Sequence, residues 1–216
     1  MSIALSIGNN LTTGGVFTAS AVNNTSVTNV TDFASVPAGG VLKLLSTQTA
    51  SASASIEFTS GIDSTYDSYV FKFINIHPST NNVDFTFNGS TDGGSNYNIT
   101  KTTTWFEAYH DEADSFASLS YNANHDLAQS TSDQKLAVQV GSENDESASG
   151  TLSLFNPSST TFVKHFISNV NEYQYNNLTV QCIVGGYLNS TSAVNAIRFK
   201  ISSGTFDGTI KMYGVV

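Results

Sequence analysis

The chain has 216 residues, and its 8 Lys and Arg residues against 17 Asp and Glu residues give a formal net charge of −9. An acidic chain without a basic stripe is not expected to bind nucleic acid or an anionic membrane surface. No stretch reaches the roughly 18 apolar residues of a membrane-spanning helix, and the N-terminus lacks the pattern of a signal peptide. The single cysteine, Cys182, excludes an internal disulfide, and its apolar neighbours predict a buried structural thiol.

The first 44 residues differ from the rest, because they are rich in Thr, Asn, Gly and Val and poor in aromatic residues. We interpret residues 1–44 as an N-terminal arm or a set of edge strands that serves attachment or oligomerisation. An arm gains order by burying apolar side chains against a neighbour. The candidate partner interface is therefore Val16, Phe17, Val30 and Phe33. The alternative is an ordinary first hairpin of the main domain.

Residues 45–216 predict one all-β domain. Segments rich in Val, Ile, Phe, Tyr and Thr recur at a spacing of roughly 12 to 15 residues, separated by Gly, Asn, Asp and Ser turns. This pattern favours an antiparallel β-sandwich of jelly-roll type. Helix signals are almost absent. The predicted strands cover residues 41–49, 53–60, 69–76, 83–89, 97–109, 135–140, 151–156, 161–170, 178–188, 196–202 and 209–216.

Several segments carry more specific expectations. Residues 196–202 alternate between apolar and polar side chains, which places Phe199 on the core side of a half-buried strand. Residues 69–76 are apolar on both faces, so we expect a central strand that is covered on both sides. Residues 111–132 are expected to form the longest loop. The acidic stretch at residues 143–147 is expected to be a solvated hairpin turn.

The densest titratable group is His110, Asp111, Glu112 and Asp114. Because structural zinc sites use cysteines or several histidines, we interpret this group as a solvated loop rather than a metal centre. Asp92 precedes two glycines and resembles half of a calcium loop, but the distal Glu of such loops is missing. A glycine-rich turn with positive φ is predicted there instead. The sequence therefore predicts no metal and no cofactor.

Catalytic residues are not assigned, and the chain is not expected to be an enzyme. No Gly-x-Ser-x-Gly elbow is present, and the four histidines are scattered. Isolated carboxylates such as Glu57 and Glu107 are weak candidates for a glycosidase pair, because sequence does not place them together. Trp105 and Tyr109 are expected to pack in the core, as aromatic residues do in β-domains. Their alternative role is stacking on a host glycan.

The chain resembles a family of virion structural proteins from marine tailed phages over residues 45–216. Four segments carry the resemblance in the same order: ASASIEFTSGIDSTYDSYVFKFINIHPST, DGGSNYN, FNPSSTTFVKHF and SGTFDGTIKMYGV. This family contributes β-sandwich modules to capsid decorations, head fibres and tail fibres. The resemblance implies a bacteriophage structural protein on the outer surface of the virion, made in the cytoplasm of the bacterial host. It supplies no catalytic residues.

Within that family, the short N-terminal part favours a capsid-surface decoration protein of cement or head-fibre type, because a long fibre shaft is missing. Its expected partners are other virion proteins, above all the major capsid protein, and copies of itself. The alternative is a tail-fibre or receptor-binding module that binds a glycan on the host surface.

Overall fold

A computed structural model describes residues 42–216 of the chain, which form twelve β-strands. The part described has no helix that is long and apolar enough to cross a membrane. The strands are β1 (Leu42–Ser53), β2 (Ser55–Phe58), β3 (Ser68–Pro78), β4 (Val83–Ser90), β5 (Lys101–Asp111), β6 (Ala117–Tyr121), β7 (Gln134–Val140), β8 (Ala148–Phe155), β9 (Lys164–Gln174), β10 (Leu178–Leu188), β11 (Ala196–Ile201) and β12 (Phe206–Val215).

All paired strands run antiparallel, and nine of them follow one path in the order β1-β12-β3-β8-β9-β7-β4-β11-β2. The two ends of this path meet, because β1 and β2 are consecutive in the chain and the Gln48 side-chain amide donates to the Glu57 carbonyl at 2.6 Å. The link from β9 to β7 consists of one residue pair, Val140 with Gln174. The sheet is therefore nearly closed into a barrel.

A branch leaves this path at β9. Along one edge β9 pairs with β8, and along the other edge it pairs with β10 over residues 164–174 and 178–188. Strand β10 then pairs with β5, and β5 pairs with β6. The continuous order β8-β9-β10-β5-β6 forms a broad antiparallel surface beside the nearly closed path.

The core is an aromatic cluster centred on Phe199 of β11. Its ring centroid lies 5.0 Å from that of Phe73 and 5.2 Å from that of Phe71, both on β3, and 6.0 Å from that of Phe85 on β4. Phe58 of β2 completes the cluster at 6.3 Å. All five rings are fully or almost fully buried. Aromatic contacts at these separations add to the stabilisation that burial provides.

The all-β fold is confirmed, and every predicted strand from residue 41 onward corresponds to an observed one. The predicted loop at residues 111–132 is wrong in part, because residues 117–121 form β6. This strand pairs only with β5, and its apolar side chains point to solvent. The five residues of β6 do alternate between apolar and polar side chains, but this run is short and lies between polar segments, so the sequence favours a loop there.

Two further expectations are wrong. Strand β3 is not covered on both sides, because Ile74 is 40% exposed on its outer side. The acidic stretch at residues 143–147 is not a hairpin turn, because β7 pairs with β4 and β8 pairs with β3. Glu146 in this stretch is buried, and its carboxylate accepts the Glu143 amide at 2.6 Å. The connection thus carries the chain between strands that are not neighbours.

Residues 42–44 form the start of β1, an edge strand that pairs with β12, and the division of the chain at residue 44 stays a prediction. The candidate interface residues Val16, Phe17, Val30 and Phe33 lie outside the described residues, and their role stays a prediction.

Replacing Phe199 with Ala should lower the free energy of unfolding by about 3–5 kcal/mol, because the change leaves a cavity at the centre of the aromatic cluster. Urea denaturation of the two proteins measures this difference. Phe162 is a matched control, since its side chain is 68% exposed and Phe162→Ala should change stability by less than about 0.5 kcal/mol. Equal effects of the two substitutions would contradict the core assignment.

Candidate functional site

One face of the surface formed by β8, β9, β10, β5 and β6 carries no Asp, Glu, Lys or Arg side chain. We call it the uncharged face. Opposite residues of antiparallel strands share a face, so the register defines its members. They are the even-numbered residues of β5 and the odd-numbered residues of β6, β8, β9 and β10. In a chain with 17 acidic residues, a surface of this size without a charge is unusual.

Large apolar side chains run across the middle of the uncharged face. In register, Tyr121 of β6 lies opposite Phe106 of β5, which lies opposite Ile183 of β10. Leu119 and Ile167 flank this row. We call these five residues the apolar stripe. Their exposed fractions range from 44% for Ile183 to 77% for Leu119. Contiguous exposed apolar surface on a folded domain marks an interaction site.

Amides and hydroxyls surround the apolar stripe and are largely engaged with one another. The Asn171 amide donates to the Thr179 hydroxyl at 3.0 Å and to the Val180 carbonyl at 3.2 Å. The Gln181 amide donates to the Asn169 side chain and to the Val170 carbonyl. A shallow groove of about 520 Å³ lies beside these groups. The polar part of the face therefore resembles the rim of a protein interface.

Carboxylates reach this surface only at its borders. The Tyr121 hydroxyl donates to Asp126 beyond β6. At the opposite end, the Tyr173 hydroxyl donates to Glu112 at 3.0 Å, and His110 Nε2 lies 3.2 Å from Asp114 Oδ1. The acidic groups thus form a border around the uncharged face rather than part of it.

The inner side of the same strands contains Trp105, which is fully buried. Its indole nitrogen donates to the Glu107 carboxylate at 3.1 Å, and its ring centroid lies 5.2 Å from that of His125. A ring with no exposed surface offers no face to a sugar. The stacking role considered for Trp105 is therefore wrong, and the expectation of core packing is confirmed.

Tyr109 also lies on the inner side, where its ring centroid is 5.0 Å from that of Phe116. The two rings border a cleft of about 240 Å³ with Glu107, Asn122 and His125. The Glu107 carboxylate accepts from Trp105 and from the Asn122 amide at 2.9 Å. This cleft is smaller than the roughly 300–1,000 Å³ of a typical ligand pocket. Stacking of a glycan on Tyr109 stays a prediction.

Glu57 and Glu107 are not brought together. Glu57 lies on β2, opposite Arg198 of β11, whereas Glu107 lies on β5 and borders the cleft. Burial lowers the pKa of His125 in the same cleft, and the neighbouring Lys135 lowers it further. The imidazole is therefore held neutral beside a carboxylate that already accepts two hydrogen bonds.

Two buried titratable groups lie side by side on β9 and β10. The Glu172 carboxylate accepts the Val138 amide at 2.7 Å and the Gln174 side-chain amide at 3.1 Å. Burial raises the pKa of Glu172 well above its usual value. Burial also raises the pKa of the Cys182 thiol, and Glu172 raises it further. The expectation of a buried structural thiol is confirmed, because such a thiol is a poor nucleophile.

Two buried lysines, Lys101 and Lys164, lie at one end of the same strands, on either side of Leu188 in register. The Lys101 ammonium donates to the Asn88 side chain at 2.8 Å and to the Ile99 carbonyl at 2.7 Å. The Lys164 ammonium donates to two loop carbonyls, each at 3.0 Å. Burial lowers the pKa of Lys101 to about 8. Both lysines fasten loops to strand ends, and sequence analysis missed them because lysine in a polar segment is ordinarily exposed.

The acidic loops form turns. Asp111 accepts hydrogen bonds from Ser115 and Phe116, and the Ser115 hydroxyl contributes most to lowering the pKa of Asp111. Asp92 accepts from Ser90, whose hydroxyl is the main cause that lowers the pKa of Asp92 to about 2. Gly93 follows with a φ of 74°, so the predicted glycine-rich turn is confirmed. Over residues 42–216, no three His, Cys, Asp or Glu side chains are grouped to hold a metal ion.

Comparisons of the chain with protein-family models, curated proteins and solved structures gave no significant match. The functional argument therefore depends on the geometry of the uncharged face and on its position in the fold.

Lys101 should make the free energy of unfolding depend on pH in the alkaline range. Its pKa in the folded state is about 8, against 10.5 for an ordinary lysine, so between these pH values the unfolded chain binds the proton and the folded chain does not. Stability contributed by this group should therefore rise with pH in that window, by at most about 1.4 kcal/mol per pH unit. Chemical denaturation of wild type and Lys101→Met from pH 7 to pH 10 measures the difference. A difference that stays constant over this window would refute the assignment.

Proposed function

We propose that this protein is a structural protein of a bacteriophage virion, and specifically a capsid-surface decoration protein of cement or head-fibre type. The observation that carries the proposal is the uncharged face with its exposed apolar stripe on a rigid all-β domain. Such a surface fits burial against protein. The resemblance of residues 45–216 to virion proteins of marine tailed phages supports the same assignment.

We further propose that the domain is a β-sandwich of jelly-roll type. The support is the strand order that remains when β5, β6, β9 and β10 are treated as two inserted pairs. The other eight strands then follow the orders β1-β12-β3-β8 and β2-β11-β4-β7. Numbered along the chain, these orders are 1-8-3-6 and 2-7-4-5, which is the arrangement of two interleaved Greek keys. Jelly rolls of this kind recur in viral capsid domains.

The charge of the chain supports a place on the outside of the capsid. A protein with a net charge of −9 is repelled by packaged nucleic acid, whereas on the outer surface the same charge favours solubility. The proposed partners are the major capsid protein and copies of the chain itself. The proposed anchor is the arm, residues 1–44, because its sequence is poor in aromatic residues, whereas the buried core of the described residues is rich in them.

A catalytic role is not part of this proposal. Glu57 and Glu107 lie on different strands, and Glu107 is occupied by two donors. A second candidate function is a receptor-binding module for a host glycan. The cleft beside Tyr109 favours it, because the cleft combines aromatic rings with amides and a carboxylate, which are the groups that bind sugars.

Copy number distinguishes the two functions. A decoration protein should be present in purified virions in an amount comparable to the major capsid protein, whereas a tail tip is present in a few copies. Quantitative mass spectrometry of purified particles measures this ratio. A stoichiometry of only a few copies per particle would favour the receptor-binding function over decoration.

Deleting residues 1–40 tests the anchor. The truncated protein should keep the melting behaviour of the β-domain and should fail to bind particles that lack the protein. Co-sedimentation with such particles measures binding, and the full-length chain is the positive control. Full occupancy by the truncated protein would place the binding surface on the β-domain. Failure of the truncated protein to fold would assign residues 1–40 to the core instead.

A further inference from the structure

We propose that the uncharged face binds the same face of a second copy of this chain, which gives a dimer with twofold symmetry. The proposal identifies the surface through which the copies associate, and it depends on the proposed function only for the place of the dimer in a virion. In solution it depends on the geometry of the face alone.

Electrostatics favours a second copy as the occupant. Two copies of a chain with a net charge of −9 repel each other, so contact between them is favoured at a surface free of carboxylates. On the described domain the ion pairs of lysine and arginine lie elsewhere, for example Lys135 with Asp84 at 3.0 Å and Lys200 with Asp133 at 3.3 Å, and the contact of His110 with Asp114 lies at the border of the face. A strongly charged partner would find no opposite charge on the uncharged face.

The area of the uncharged face also fits a dimer interface. Five strands at a spacing of about 4.8 Å and a length of about 30 Å give a surface of about 700 Å². A stable interface buries about 800 Å² on each partner, so one uncharged face against another is close to what a specific dimer needs. Two sheets that pack face to face in this way place their side chains in a layer about 10 Å thick.

The pattern within the face allows contact between two identical copies. The apolar row of Ile183, Phe106 and Tyr121 crosses three neighbouring strands, and Asn171 and Gln181 lie on one side of it. A twofold axis that lies in the interface along this row would bring the apolar stripes of the two copies together. This arrangement has the apolar core and polar rim of a protein interface, and the charged groups remain outside it.

Gly185 provides a further indication. It lies on β10 in register with Ile167 of β9 and Thr104 of β5. A Cβ atom at this position would meet only the Thr104 hydroxyl, at 3.6 Å, so the packing of a single copy does not require glycine there. The missing side chain leaves a depression next to the apolar stripe, into which an apolar side chain of the partner fits.

The test uses the full chain and sedimentation equilibrium. Wild type should be a dimer at micromolar concentration. Ile167→Glu should weaken association by about 100-fold or more, because it buries a carboxylate within the apolar stripe of the interface. Gly185→Glu should do the same by filling the depression. Phe162→Glu is the matched control, since Phe162 is exposed outside the face, and it should leave the dimer intact.

The melting temperature of each variant shows whether the fold is retained, and Gly185→Glu provides a second probe if Ile167→Glu fails to fold. A wild-type chain that stays monomeric at high micromolar concentration would overturn the proposal, whether the face is covered by residues 1–41 of the same chain or by another protein. A folded Gly185→Glu variant that dimerises as tightly as wild type would also overturn it. Neither result affects the copy number in virions, so the proposed function is tested separately.

Discussion

The packing of Phe199 against Phe71 and Phe73 is the interaction on which the rest of the structure depends. Strands β11 and β3 are far apart along the hydrogen-bonded path, so no ladder of backbone bonds holds them together. The burial of aromatic rings between them packs the two parts of the path face to face. Because β3 also pairs with β8, and β8 with β9, this contact fixes the base from which the branch carrying the uncharged face extends.

The described residues separate charge from apolar exposure. Around β4, β7 and β11, Asp133 forms ion pairs with both Arg198 and Lys200, and Asp84 forms an ion pair with Lys135. Around β5, β9 and β10, the charged groups are either buried on the inner side, as are Lys101, Lys164 and Glu172, or they lie at the border. An outer surface without ions next to an inner surface with several buried ones is the reverse of an ordinary arrangement. This distribution of charged groups suits a sheet whose outer side contacts another protein.

Alternation in the sequence was sufficient to predict the strands, since β10 was expected at residues 178–188 and is observed there. It was not sufficient for β6, whose apolar residues face solvent. The uncharged face was not predictable either, because Phe106, Ile167 and Ile183 become neighbours only through the pairing of β5, β10 and β9. Alternation identifies which residues of a strand share a side, but not which strands are adjacent. Buried lysines give no sequence signal, because their partners are loop carbonyls that any residue provides.

The two strand pairs β5–β6 and β9–β10 leave the chain at separate points yet pair with each other through β5 and β10. Each pair covers an edge that the other would expose, and an exposed edge invites aggregation. Removing one pair would uncover a strand edge of the other, so a substitution that loosens the contact between β5 and β10 should weaken both pairs together.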